Sequence, residues 1–131
     1  MHGDEPALRL LVIDDDLAFH ALVRDVAEPH GFAVAAPAAS KIFKSTIRSW
    51  SPTLIVMHLK GPVEDGIEML RDLAVINCTA PIVLASNLDP RTLESVVRVG
   101  TEHGLKMAGV LRKPVARREL DDLVVKHKGA P

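Results

Sequence analysis

Three aspartates, Asp14, Asp15 and Asp16, stand side by side directly after the apolar run Leu10–Ile13. Neighbouring carboxylates supply the oxygen ligands that a hard divalent cation prefers. A run of like charges is also typical of a solvated loop, so the triplet alone is weak evidence for a site. Its meaning depends on what else the fold brings to the same place.

Three later apolar runs are also followed by a polar side chain that can do chemistry. His58 comes after the third run of the chain, Ser86 after the fourth and Lys113 after the fifth. In an open sheet of parallel strands, ligands bind beyond the carboxyl ends of the strands. If these runs are such strands, the carboxylates, the imidazole, the hydroxyl and the ammonium group meet at one edge of the sheet.

These residue types suit phosphoryl transfer. A hydroxyl and a lysine aimed at the same point can hold a phosphoryl group beside a metal cation. Such a site also needs an acceptor carboxylate, which should stand at the end of the third strand. His58 stands there instead, so the pattern resembles a phosphotransfer site that lacks its acceptor carboxylate.

The elements that position these residues alternate along the chain. Short apolar runs predict strands, and segments with apolar residues at helical spacing predict helices. Strands are predicted at 8–13, 32–36, 54–57, 82–85 and 107–111, and helices at 17–28, 40–49, 67–76, 90–103 and 117–126. Near-continuous apolar strands are typical of a parallel sheet covered on both faces, and right-handed crossovers then give a doubly wound α/β domain of five βα units.

The composition of the chain excludes several classes of function. The 131 residues are 47% hydrophobic and 25% charged, which suits one domain with one core. A net charge of −1 provides no basic field for nucleic acid and no polybasic patch for a membrane. The single cysteine, Cys78, excludes an internal disulfide and is expected to be a small buried thiol. Because the start of the chain is unlike a signal peptide and no apolar run reaches the ~20 residues of a membrane span, we expect a cytoplasmic protein.

The remaining histidines lie on predicted helix faces or ends. We expect them to be solvated: His2, His20, His30, His103 and His127.

Four motifs resemble those of response-regulator receiver domains. They are VIDDD at 12–16, the dipeptide Asp65-Gly66, PIVLAS at 81–86 and LRKP at 111–114. The resemblance covers about residues 8–126, with tails at 1–7 and 127–131. It implies a flavodoxin-like sheet with strand order 2-1-3-4-5.

The resemblance also implies roles for single residues. Asp14 and Asp15 resemble the pair that holds Mg²⁺, and Ser86 resembles the hydroxyl that turns toward the phosphoryl group. Lys113 resembles the lysine that pairs with phosphoryl oxygen, and the proline after it resembles one whose preceding peptide is commonly cis.

The phosphoacceptor aspartate of the family falls eight residues before the glycine of the Asp-Gly dipeptide. Eight before Gly66 is His58. The resemblance therefore implies a receiver that is not phosphorylated by the usual aspartyl route and whose Mg²⁺ binding is weakened. His58 and the Lys60 backbone are further candidate metal ligands.

Two more departures bear on signalling. Val110 stands three residues before Lys113, where the family usually carries an aromatic residue or a histidine that rotates with the switch. The region 86–115 resembles receivers that precede cyclic-di-GMP phosphodiesterase domains. We expect a non-enzymatic module that binds a sensor kinase or an output domain through its last two helices and last strand. A homodimer is a further candidate assembly.

We hypothesise that His58 partly substitutes for the cation and holds the site in one state. Three alternatives remain open from the residues. In the first, the chain is an orthodox receiver in which His58 was introduced by mutation. In the second, Asp14, Asp15 and His58 bind Mn²⁺, Zn²⁺ or Fe²⁺. The third alternative is a small aspartyl phosphatase of the haloacid-dehalogenase type, whose opening motif Asp14 and Asp16 match in part.

Overall fold

The computed structural model describes residues 7–37, 43–59 and 62–128. Within these ranges five strands alternate with five α-helices. The strands are β1 (Leu8–Ile13), β2 (Phe32–Ala35), β3 (Leu54–Leu59), β4 (Ile82–Ser86) and β5 (Met107–Arg112). The helices are α1 (Leu17–Ala27), α2 (Phe43–Trp50), α3 (Val63–Val75), α4 (Pro90–Glu102) and α5 (Arg117–Lys126), and a short 3₁₀ helix (Glu28–His30) follows α1.

The strands form one parallel sheet in the order β2-β1-β3-β4-β5. The predicted fold class and strand order are therefore confirmed. Since every strand runs in the same direction, all five carboxyl ends lie at one edge of the sheet.

The sheet separates two apolar layers. Side chains alternate between the faces of a strand, so Leu10 and Val12 of β1 pack with α1 and α5, whereas Leu11 and Ile13 pack with α2, α3 and α4. This double coverage explains why the strands are apolar without interruption. Cys78 lies buried in the second layer, as expected, and burial raises the pKa of its thiol.

Three predicted helix starts are confirmed, those of α1, α4 and α5. Asp16 caps α1, and Asp89 caps α4 with Pro90 in the first turn. The predicted start of the second helix, at Ser40, lies outside the described residues.

Three strands run further than their apolar residues predict. The strand ladder continues through the pairs His58↔Ala85 and Leu59↔Ser86, so β3 extends two residues beyond Met57. The prediction that the third strand stops before His58 is therefore wrong. Each predicted end lies at the last clearly apolar residue, but parallel pairing needs only backbone groups. β4 and β5 likewise end one residue later than predicted, and β2 one residue earlier.

Helix α3 begins at Val63, four residues before its predicted start at Ile67. Pro62 occupies the N-cap position, and Glu64 and Asp65 lie in the first turn. Acidic residues at that end of a helix are favoured by the helix dipole. The apolar spacing of the later residues does not reveal this first turn, because its residues are mostly polar.

Within the described ranges, no helix combines the length and the apolar composition that crossing a bilayer requires.

Candidate functional site

The centre of the site is the Asp14 carboxylate, directly after β1. Its side chain is only 1% exposed. Oδ1 lies 3.1 Å from His58 Nδ1 and accepts the Asp16 N–H at 3.0 Å. Oδ2 accepts from Lys113 Nζ at 2.6 Å. Both oxygens of this buried carboxylate are therefore engaged by protein donors.

The ends of three strands, β1, β3 and β5, bring this cluster together. His58 projects from β3, which lies next to β1 in the sheet. Lys113 follows β5 directly, and its backbone N–H donates to the Ser86 carbonyl at 2.9 Å. The expected cis peptide is present between Lys113 and Pro114. The rule that parallel strand ends converge thus correctly predicted the meeting of Asp14, His58 and Lys113.

Lys113 is held from several sides. Its Nζ lies 4.5 Å from the centre of the Phe19 ring and 3.9 Å from Asp16 Oδ2. An ammonium over an aromatic face gains a cation–π attraction. The lysine side chain, 15% exposed, is therefore fixed against Asp14.

The electrostatics favour an ionised Asp14. Burial by itself would raise the pKa of this carboxyl group. Hydrogen bonds from Lys113 and the Asp16 backbone outweigh burial, with help from the charges of His58 and Lys113, and hold the pKa below its usual range. Asp14 is accordingly a carboxylate across the physiological range.

Ser86 joins the site through the backbone. Its fully buried hydroxyl donates to the Leu59 carbonyl at 2.5 Å and accepts the Leu88 N–H at 3.0 Å. The residue is adjacent to the cluster in the ladder, but its hydroxyl is bonded to the backbone rather than to Asp14, His58 or Lys113.

The other two aspartates of the triplet differ in role. Asp16 Oδ1 caps α1 by accepting the N–H groups of Ala18 at 2.9 Å and Phe19 at 3.4 Å. Asp15 is exposed, and the hydrogen bonds and ion pairs of the described residues do not include its side chain. Lys60, the remaining candidate ligand, lies outside the described residues.

His20 is a site residue that sequence reasoning missed. It was expected to be solvated, but it is 7% exposed, and its Nε2–H donates to the Asp14 carbonyl. The available signal was its position on α1, next to Phe19 and three residues before Val23, both of which are buried. His30, also expected to be solvated, lies 2.9 Å from Asp121.

A metal ion at this site would depend on the donors around Asp14. Across 7–37, 43–59 and 62–128, no group of three or more His, Cys, Asp or Glu side chains is arranged to hold one. A cation at Asp14 would also compete with Lys113 and His58 for the carboxylate oxygens. The described residues therefore lend no support to the transition-metal alternative.

Residues 10–125 match the family described as response regulator receiver domain. The chain belongs to this family. Receiver domains are signalling modules of two-component systems that interact with kinases and output domains and typically bind Mg²⁺ at the acceptor site. This membership leaves the haloacid-dehalogenase alternative without support.

Individual relatives agree with this assignment. The chain is 32% identical over 125 residues to the regulatory protein VirG of Agrobacterium fabrum, covering 91% of this chain and 47% of VirG. It is 29% identical over 90 residues to the chemotaxis protein CheY of Bacillus subtilis, covering 66% of this chain and 73% of CheY. The crystal structure of a response regulator from Colwellia psychrerythraea superposes with a TM-score of 0.80 at 26% identity, over 94% of this chain and 98% of that one.

The chain spans less than half the length of VirG. Receiver domains are generally non-enzymatic, but the similar proteins include a protein-glutamate methylesterase of Nocardioides, 28% identical over 111 residues. The predicted likeness to receivers that precede cyclic-di-GMP phosphodiesterase domains stays a prediction.

Proposed function

We propose that this chain is a cytoplasmic receiver module that signals by protein–protein interaction, without enzymatic activity of its own, in a single state that does not depend on aspartyl phosphorylation. The observation that carries the proposal is the His58 imidazole, 3.1 Å from the Asp14 carboxylate. The resemblance to the family assigns this position to the phosphoacceptor.

The chemistry of the side chain supports the proposal. Formation of an acyl phosphate needs a carboxylate nucleophile. Imidazole cannot form that bond, and Nδ1 of His58 already faces Asp14 Oδ1. Phosphoryl transfer by the usual route therefore has no acceptor at position 58.

The charge balance supports a single state. An aspartate at 58 would place a further carboxylate beside Asp14, and relief of their repulsion would require a cation. The imidazole removes one negative charge, and its protonated form would be favoured by Asp14 and opposed by Lys113. With Lys113 Nζ at 2.6 Å and His58 Nδ1 at 3.1 Å, protein donors take the place of the metal ion. Weakened Mg²⁺ binding is part of the proposal.

The partner surface is the one formed by α4, β5 and α5. A groove of about 470 Å³ lies between α4 and β5, and we call it the α4–β5 groove. It is lined by Pro90, Leu93, Glu94, Val97, Arg98, Val110 and Arg112. Val110 is 38% exposed and has no polar group to rotate. This surface can bind a sensor kinase or an output domain without a switching aromatic residue.

The test is incubation with acetyl phosphate and Mg²⁺ followed by intact mass spectrometry. We expect no added phosphoryl group on the parent chain and one on His58→Asp. His58→Asn, which removes the imidazole without supplying a carboxylate, is the matched control and should stay unmodified.

A base-labile phosphoryl group on the parent chain would overturn the proposal. Failure of a well-folded His58→Asp variant to gain phosphate would show that more than the acceptor has been lost.

A further inference from the structure

The loop between β4 and α4 is attached through both backbone groups of Leu88. The Leu88 N–H donates to Ser86 Oγ at 3.0 Å. The Leu88 carbonyl accepts from Arg112 Nη1. The Leu88 side chain packs against the apolar layer beneath α3 and α4. One peptide segment is therefore held from β4, from β5 and from the core.

Arg112 reaches this loop because of its place in the sheet. It is the last residue of β5 and pairs with Ser86 in the ladder. Its neighbour Lys113 reaches Asp14 in the site. Two consecutive side chains at the end of β5 thus bind different parts of the molecule. Arg112 binds the β4–α4 loop, and Lys113 binds the buried carboxylate of Asp14.

We propose that Arg112 is a latch that holds the β4–α4 loop against β5 and so sets the position of the first turn of α4. The loop runs directly into that turn through Asp89, which caps the helix, and Pro90. Arg112 and Pro90 both line the α4–β5 groove. The width of the groove at this end is therefore determined by the contact between Arg112 and Leu88.

The chemistry of the contact suits this role. A guanidinium group presents its donors in a planar, preorganised fork, and a charged donor strengthens the bond to a carbonyl. Among the hydrogen bonds of the described residues, Arg112 is the only side chain of β5 that reaches the loop. The latch goes beyond the proposed function because neither His58 nor a phosphoryl group takes part in it.

The test is native-state amide hydrogen exchange, followed residue by residue by NMR on the full chain. We expect Arg112→Gln to speed exchange of the Leu88 amide and of amides in the first turn of α4 by about three- to tenfold. Arg98→Gln is the matched control, because Arg98 lines the groove from α4 and makes no hydrogen bond to the loop within the described part of the chain. It should leave these rates unchanged.

A second variant tests whether the two backbone attachments act on the same segment. Ser86→Ala removes the acceptor of the Leu88 N–H. If both attachments hold one peptide segment, the two substitutions are coupled. The increase in loop exchange rate in the double variant should then differ from the product of the increases in the two single variants.

Two results would overturn the latch. One is loop exchange in Arg112→Gln equal to that in Arg98→Gln. The other is a uniform increase that also includes α1 and α5, which would show a general loss of stability. The readout is independent of phosphorylation, so the latch and the phosphorylation-independent state can fail separately.

Discussion

At the residue scale, the buried carboxylate of Asp14 depends on Lys113. The two groups are 2.6 Å apart, and the Asp14 side chain is almost inaccessible to solvent. Removal of one partner from a buried ion pair leaves an uncompensated charge, which costs more than the pair itself contributes. The lysine is therefore a structural requirement of this site, whether or not a phosphoryl group ever binds there.

We predict that Lys113→Met lowers the free energy of unfolding by about 3 kcal/mol near pH 7. The lowered pKa of Asp14 means that its ionised form stabilises the folded state above the unfolded pKa of about 3.9, and that this contribution is lost as the pH falls through the folded pKa. The difference between parent and variant should therefore shrink below about pH 4. Urea unfolding at neutral and acidic pH measures both effects.

Lys44→Met is the matched control for this prediction. Lys44 lies 3.7 Å from Asp72 in an exposed ion pair, and such pairs contribute little. We expect a change of less than about 0.5 kcal/mol. Equal effects of the two substitutions near neutral pH, or a difference that widens in acid, would contradict the account of Asp14.

At the element scale, the packing of α3 on β3 explains Gly66. A Cβ added at this position would lie 1.8 Å from Leu59 Cδ1, and Leu59 is 1% exposed. The dipeptide Asp65-Gly66 marks a close approach of helix to strand, one residue beyond His58. A side chain at 66 would push against the strand that carries the site.

We predict that Gly66→Ala lowers the free energy of unfolding by about 1–3 kcal/mol, because Leu59 must leave its preferred position in a filled core. Denaturant unfolding measures the change. Glu68→Ala, at an exposed position of the same helix, should change it by less than about 0.5 kcal/mol. A Gly66→Ala variant as stable as its control would show that the helix can move away from the strand at little cost.

Some boundaries of helices and strands can be predicted from the sequence, and others cannot. The sequence predicts the observed bounds of β1 (Leu8–Ile13) and α5 (Arg117–Lys126). At the ends of these two elements, the apolar pattern stops where the type of flanking residue also changes. The end of β3 was misplaced because His58 is polar while its backbone still pairs with β4. The pattern of apolar residues indicates which side chains are buried. The length of a strand depends instead on backbone pairing with the neighbouring strand.

At the scale of the whole molecule, the fold class followed from five apolar runs that alternate with helical segments, and the strand order followed from the family resemblance. The convergence of Asp14, His58 and Lys113 followed from parallel strands. The burial of His20 has a weak local signal, its position on α1 beside the buried Phe19. The bond from Arg112 to Leu88 could not be predicted, since it joins residues 24 positions apart in the chain. The site was therefore more predictable than the contacts that surround it.

The partner surface comprises α4, β5 and α5, and the central claim is that its state does not respond to a phosphodonor. The most direct measurement is a set of amide NMR spectra recorded before and after addition of acetyl phosphate and Mg²⁺. For the parent chain, we predict unchanged shifts at residues 90–102, 107–112 and 117–126, whereas His58→Asp shifts them. Movement of these signals in the parent chain would contradict this prediction.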